Sequence, residues 1–372
     1  MSTNQSPVFC EIDLDAEGKH HGYLRLPHSV HRSAYGWIPI PITSIKNGEG
    51  PVVLLMAGNH GDEYEGQIAL CSLSKEIAQQ DINGQIILLP MANFPAAKAG
   101  MRTSPLDDGN LNRSFPGNPM GTPTQIIAHF IESELVKRAD YLLDIHSGGS
   151  SLLYIPSALL TIDSDPSQHQ ANLALVRSIG FPQALLFEQS GMEYYSSSAA
   201  HRNDCVAITL EVAGGGSIDQ AALKLLHRGL SRYLTHIGIN IALSEDEGLD
   251  KDPTHTEEST IKSAITTGTF THTPNAIENQ DIEGNGETEF LSISTEASYC
   301  YAYGSGLFEP LVDLGDQVVE GQPAGFIHDP ETPWKEPDQL YFRGEGKVVA
   351  RRVPARVERG DCLFEIAGKA AS

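Results

Sequence analysis

Short apolar runs alternate with amphipathic stretches through the first two-thirds of the chain. Between about residues 8 and 49 apolar and polar positions alternate with period two, in "GYLRLPHSV" and "GWIPIPITSIKNG", broken by turn residues. That periodicity predicts strands with one face covered. From Pro51 onward the runs become continuous: "PVVLLMAG", "GQIILLPMA", "ADYLLDIHSGG" and "VAITLEVAGGG". Between them, "GQIALCSLSKEIAQQ", "TPTQIIAHFIESELVKRA" and "IDQAALKLLHRGLSRYLTHIGI" carry apolar residues at helical spacing. Strands alternating with helices predict an α/β fold with a sheet buried on both faces. Functional loops of such sheets collect at strand ends, and the unusual polar residues of this chain fall there.

The pattern breaks at Ser244. Residues 244–289 hold twelve Asp or Glu against two Lys, among many Thr, Asn and Gly, which reads as an acidic linker or insertion. From Phe290 the alternation is purely β. "LFEPLVDLGDQVVEGQPAGFI" and "KVVARRVPARVERGDCLFEIA" look like two copies of one strand–turn–strand unit. They resemble a biotinyl/lipoyl-like half-barrel, although Lys335 lacks the flanks of a modified carrier lysine. A lid or an oligomer contact is the preferred reading of this part. The expected organisation is therefore a catalytic α/β domain over 1–243, the acidic segment 244–289, and a C-terminal β domain over 290–372.

Composition narrows the class. The chain has 372 residues, enough for a large core. No stretch approaches the roughly 20 apolar residues of a membrane span, and the N-terminus lacks the basic start and apolar stretch of a secretory signal. A cytoplasmic protein is expected. The net charge of −23 argues against nucleic acid and anionic membranes as partners. About −10 of it comes from the 244–289 segment. Five scattered cysteines with no C-x-x-C pair argue against a disulfide framework or a cysteine zinc site.

Candidate chemistry starts in "GNHGDEYEG", directly after the first continuous run. Alone, His60 and Glu63 are either part of a polar turn or half of a metal site. "LDIHSGG" adds His146 at the end of another run, with Asp144 two residues before it. A buried Asp-x-His costs desolvation unless paired or metal-bound, and Asp144 is suited to orienting a ligating histidine. Catalytic zinc takes three protein ligands of these types. Glu211 ends a further run, either as a general base or as the partner of a structural arginine. Gly214, Gly215 and Gly216 after it are expected to let substrate approach the backbone. "MRTSPLDDGNLNRSFPGNP" brings Arg102, Asn110, Asn112 and Arg113 into one loop, where arginine suits a carboxylate or an oxyanion.

The order "NHGDEYEG", "MRTSP", "NLNRSFPG", "LDIHSGG" and "LEVAGGG" resembles the succinylglutamate desuccinylase/aspartoacylase family, relatives of the zinc carboxypeptidases. The likeness is strong over about residues 45–240, and the family's β-rich C-terminal domain matches 290–368. It implies a zinc-carboxypeptidase-like mixed β-sheet flanked by helices and a smaller C-terminal β domain. It implies one zinc per subunit, held by His60, Glu63 and His146. Arg102 is implied as oxyanion stabiliser, Asn112 and Arg113 as holders of the substrate α-carboxylate, and Glu211 as general base and acid. The implied reaction is hydrolysis of the amide of a small-molecule N-acyl amino acid. Within the family the blocks look like the bacterial branch that deacetylates N-α-acetyl-L-2,4-diaminobutyrate in ectoine breakdown. A desuccinylase or aspartoacylase acting on an acidic amino acid, and a carboxypeptidase acting on small peptides, stay open. A side-chain amine on the substrate needs an acid nearby; Asp62, Asp107, Asp108, Glu188 and Glu193 are the candidates, and sequence does not choose. A homo-oligomer is compatible with the sequence. A serine hydrolase is disfavoured, because no G-x-S-x-G elbow is present.

Overall fold

The computed structural model describes residues 6–162, 166–187, 193–239, 287–293 and 296–370. Most of the acidic segment, residues 240–286, lies outside them, as does Glu188. The alternating N-terminal region forms antiparallel strands β1 (Phe9–Cys10), β2 (Gly18–Pro27) and β3 (Trp37–Asn47). The apolar runs form β4 (Val52–Ala57), β5 (Gly84–Leu89), β6 (Tyr141–His146) and, after β7 (Leu152–Tyr154), β8 (Ser157–Thr161) and β9 (Gln183–Phe187), β10 (Val206–Glu211). The amphipathic stretches form α1 (Glu65–Glu76), α2 (Phe94–Ala99), α3 (Pro123–Phe130), α4 (Pro166–Ile179), α5 (Ser196–Arg202) and α6 (Gln220–His236). Helix α3 carries on through a π turn, Ile131–Leu135, and a last 3₁₀ turn, Val136–Arg138.

The strand order is β1-β2-β3-β5-β4-β6-β10-β8-β9. At its centre β5, β4, β6 and β10 run parallel, while β8 reverses against β10. The reason for continuous apolar runs is visible in the two cores. One face is covered by α1, α4 and α6, through Leu70, Leu73, Val176, Leu226, Leu230 and Tyr233 among others. The opposite face packs against α3 and α5 through Ile127, Ile131, Ala199 and Ala200. Burial on both faces leaves the strands no polar side.

The C-terminal strands are β11 (Glu289–Ile293), β12 (Tyr299–Tyr301), β13 (Gly306–Pro310), β14 (Gln317–Val318), β15 (Pro323–His328), β16 (Asp338–Tyr341), β17 (Gly346–Arg352), β18 (Arg356–Val357) and β19 (Cys362–Lys369). The two copied units fall on β13–β14–β15 and β17–β18–β19. They interlock, since β13 pairs with β18 and β14 with β17. This part has its own core of Phe308, Phe342, Phe364 and their neighbours. It is also continuous with the main sheet: β11 pairs with β9 in parallel and with β19 antiparallel. Strand β7 leaves the α/β part to pair with β17. No helix among the described residues is long and apolar enough to cross a membrane.

Candidate active site

Neighbouring parallel strands deliver the polar residues to one place. Ala57 at the end of β4 is in register with Ile145, and His146 at the end of β6 with Glu211 at the end of β10. The turn after β4 has to double back at once to place His60 and Glu63 over those ends. Gly61 makes that path available: a Cβ there would stand 2.0 Å from the carbonyl carbon of Ala96, so the loop lies directly on α2. Glu65 opens α1, where a negative charge is favoured.

His60, Glu63 and His146 are each 3 % exposed. Glu63 sits between the two rings, with Oε1 2.7 Å from His60 Nδ1 and Oε2 2.8 Å from His146 Nδ1. One ligand atom from each of the three lies within 4.8 Å of the others. The far ring nitrogens have acceptors of their own. His60 Nε2 donates to Asn110 Oδ1 at 3.1 Å, and His146 Nε2 to Asp144 Oδ2 at 3.0 Å. With acceptors on those far nitrogens, both Nδ1 atoms are able to turn their lone pairs to a shared cation beside the carboxylate, and this donor set suits zinc. Asp144 is fixed in turn: its Oδ2 also accepts Asn59 Nδ2 at 2.9 Å and Ser196 Oγ at 2.5 Å.

The electrostatics follow from these contacts. Burial opposes the charge on Glu63, but the two imidazoles and their hydrogen bonds outweigh it and hold its carboxyl well below the usual range. Burial lowers the pKa of His60. For His146 burial acts in the same sense, yet the carboxylates of Asp144 and Glu63 raise it. Glu211 has no such partner. Burial, reinforced by the charge of Glu63, pushes its carboxyl up to about 8, and its Oε2 is buried without a hydrogen bond. No arginine forms an ion pair with Glu211 among the described residues.

The loop arginines occupy the same cavity, of about 430 Å³. Arg102 is half exposed, with one guanidinium nitrogen 3.6 Å from Glu63 Oε1. Arg113 lies over the Tyr195 ring, 4.1 Å from its centroid, and donates to the Asn112 carbonyl at 2.8 Å. Asn112 Oδ1 accepts the Ser196 N–H at 3.0 Å, which turns its amide group toward His146. All seven residues named for the site from sequence line this one cavity.

Other expectations do not carry over. Gly214, Gly215 and Gly216 do not line the cavity; at Gly214, with φ of +127°, a Cβ would stand 2.5 Å from the Leu152 carbonyl oxygen, so backbone packing requires the glycine. Asp62 holds the next loop instead of substrate, since its Oδ2 accepts the Ser150 N–H and hydroxyl, each at 2.8 Å. Asp107 caps α3 through the Thr124 N–H and hydroxyl. Asp108 and Glu193 do not line the cavity. Sequence reasoning missed another part of the lining, formed by Tyr154, Tyr299, Tyr301, Cys362 and Glu365. Its only sequence signal was the C-terminal domain itself.

Comparison with known proteins places the chain in a family. The family model described as the succinylglutamate desuccinylase/aspartoacylase catalytic domain matches residues 49–237. The chain is 35% identical over 362 residues to the N-alpha-acetyl-L-2,4-diaminobutyric acid deacetylase of Halomonas elongata, covering 97% of this chain and 95% of that one. Among solved structures, the product-bound ectoine utilization protein EutE (DoeB) of Ruegeria pomeroyi superposes with a TM-score of 0.83 at 33% identity, covering 98% and 99% of the two chains. A succinylglutamate desuccinylase/aspartoacylase from Rhodobacter sphaeroides gives the same TM-score at 32% identity, covering 99% and 100%.

Proposed function

Since the chain belongs to the succinylglutamate desuccinylase/aspartoacylase family, a family of hydrolases of N-acyl amino acids, we propose that it is a zinc-dependent deacetylase of N-α-acetyl-L-2,4-diaminobutyrate. The products are diaminobutyrate and acetate, as in ectoine degradation. One observation carries the reading: the Nδ1 atoms of His60 and His146 and the carboxylate of Glu63 converge beside the unpartnered oxygen of Glu211 in one cavity. The cavity's volume of about 430 Å³ is in the range of small-molecule sites. The choice of substrate rests on the Halomonas and Ruegeria relatives.

Zinc held by His60, Glu63 and His146 supplies Lewis acidity, which makes water a stronger acid and an amide carbonyl a better electrophile. Glu211 takes the proton of the attacking water and hands it to the departing amine, so the leaving group departs neutral. Its proton affinity, raised by burial, suits both directions of transfer. Arg102 stabilises the negative charge that develops on the acyl oxygen. Arg113, fixed over Tyr195, and the Asn112 amide receive the α-carboxylate and set the scissile bond against Glu211.

The purified protein should hold one zinc per chain. It should hydrolyse N-α-acetyl-L-2,4-diaminobutyrate in preference to N-acetyl-L-aspartate, N-succinyl-L-glutamate and a short peptide. A chelator should abolish turnover and added zinc restore it. Full activity after measured removal of the metal would rule out the zinc reading. A preference for one of the acidic substrates, or for the peptide, would rule out the substrate.

A further inference from the structure

Accounting for the carboxylates of the cavity leaves one without a task. Glu63, Glu211 and Glu365 are the acids that line it among the described residues. The first faces two imidazoles and the second faces the reacting amide in the reading above. Glu365 comes from β19, in the C-terminal part of the lining, and is 4 % exposed.

The sheet builds a specific seat for this carboxylate. Tyr299 on β12 and Ala350 on β17 are both in register with Glu365, and Tyr154 on β7 is in register with Ala350. Cross-strand partners share a face of the sheet. The four positions therefore form one row, Tyr299–Glu365–Ala350–Tyr154, running along the cavity wall. Ala350 is short, so Tyr154 reaches across it and its hydroxyl donates to Glu365 Oε2 at 2.7 Å. The Tyr299 phenol also interacts with the carboxylate. A phenol that donates here supports the charged, acceptor-only form of the acid. Burial makes both phenols harder to ionise, so they stay donors. Burial raises the Glu365 carboxyl as well, with the two phenols working against it. The result is a buried carboxyl group, held from its sides by two phenols and lining the cavity, whose charged form a cation arriving there would favour.

The lining carries groups of both signs. Arg102 and Arg113 lie with the loop over the strand ends, and Glu365 lies on the C-terminal wall. A substrate that carries both a carboxylate and an ammonium finds a partner for each in this lining.

We propose that Glu365 is the specificity-determining residue that receives the side-chain ammonium of the substrate, with Tyr154 and Tyr299 holding its carboxylate in place. This inference rests on the diaminobutyrate reading. It assigns the C-terminal β domain a direct part in substrate choice. A buried polar group built to pair with one substrate rejects the analogue that cannot pair, because the group is then left desolvated and alone.

The test compares N-α-acetyl-L-2,4-diaminobutyrate with N-acetyl-L-norvaline, which replaces the ammonium by a methyl group of similar size. The wild-type protein should favour the cationic substrate by about 100-fold in kcat/KM. In E365Q that preference should collapse to within about 10-fold, through loss on the cationic substrate alone. Turnover of the neutral substrate and the zinc content should be unchanged, which a merely structural role would not allow. E188Q serves as the control, because Glu188 follows the cavity residue Phe187 in sequence and lies outside the described residues. A wild-type preference for an acidic or neutral substrate overturns the functional reading and this inference together. A wild-type preference for the cation that survives in E365Q, or that collapses in E188Q instead, overturns this inference alone. So does an equal loss on both substrates in E365Q.

Discussion

The cavity has two walls, and each surrounds carboxylates with different neighbours. At the strand ends Glu63 lies between two imidazole nitrogens whose rings find acceptors on their far sides, a donor set that suits a metal ion. Beside it Glu211 has no partner on Oε2, and burial keeps its proton affinity high. On the C-terminal wall Glu365 is held by a phenolic hydroxyl at 2.7 Å beside a second phenol; burial raises its carboxyl and the two phenols oppose that rise. Three glutamates in one space thus meet three different surroundings. What separates them is the donor set around each, and the degree of burial alone does not distinguish them.

The largest effect expected on this contrast comes from Glu211→Gln. Removing the proposed proton-transfer group should lower kcat by about 10³-fold for every substrate, cationic or neutral. E365Q should act on one substrate class only, so the two variants separate chemistry from recognition on the two walls. A Glu211→Gln enzyme whose loss depends on the substrate's side-chain charge would erase the distinction between the walls.

Next in size is a cost in stability at the start of α1, just behind the strand-end wall. Glu65 is 0 % exposed at the start of α1, and burial pushes its carboxyl from 4.5 up to about 7. Because the folded pKa lies above the unfolded one, the folded state binds the extra proton between those values. The associated stability is full below about pH 4.5 and is lost as pH rises through about 7. The difference amounts to about 3 kcal/mol, at about 1.4 kcal/mol per unit. Urea unfolding of the metal-free protein from pH 4.5 to 8 should show this decline together with the one from Glu211, and Glu65→Gln should make the total smaller. A variant with the same slope as the wild type would place the decline elsewhere.

How much of each wall is legible in the sequence follows from how it is built. His60, Glu63, His146 and Glu211 stand out because each ends or follows an unbroken apolar run, where a polar residue needs a reason. The Asn110–Arg113 loop stands out by its density of turn and polar residues. The C-terminal wall has no such contrast. In "CLFEIAGK" a glutamate at an alternating position looks like any solvent-facing strand residue. Its meaning depends on β7, β12 and β17 lying beside β19, including a contact between residues 211 apart. Pairing at that distance is decided by tertiary packing and leaves no local pattern. The glycines after Glu211 erred in the other direction. Their clustering suggested room for substrate, whereas Gly214 answers a backbone approach to Leu152 that only the folded chain reveals.

The smallest effect, and the finest probe of the C-terminal wall, comes from its phenols. Tyr154 makes the 2.7 Å bond across Ala350, while Tyr299 sits directly opposite Glu365 in register. Hydrogen bonds to charged groups contribute roughly 1.5–3 kcal/mol, and less where water or another donor can take over. Tyr154→Phe should therefore lower kcat/KM for the cationic substrate by about 10-fold and Tyr299→Phe by about 3-fold. Each should leave the neutral analogue unchanged, because the methyl group makes no demand on that carboxyl group. The double variant should approach the loss seen in E365Q, since all three changes disable one recognition element and their effects are not independent. If Tyr154→Phe instead slows both substrates alike, its hydroxyl matters for the shape of the wall and not for the charge on Glu365.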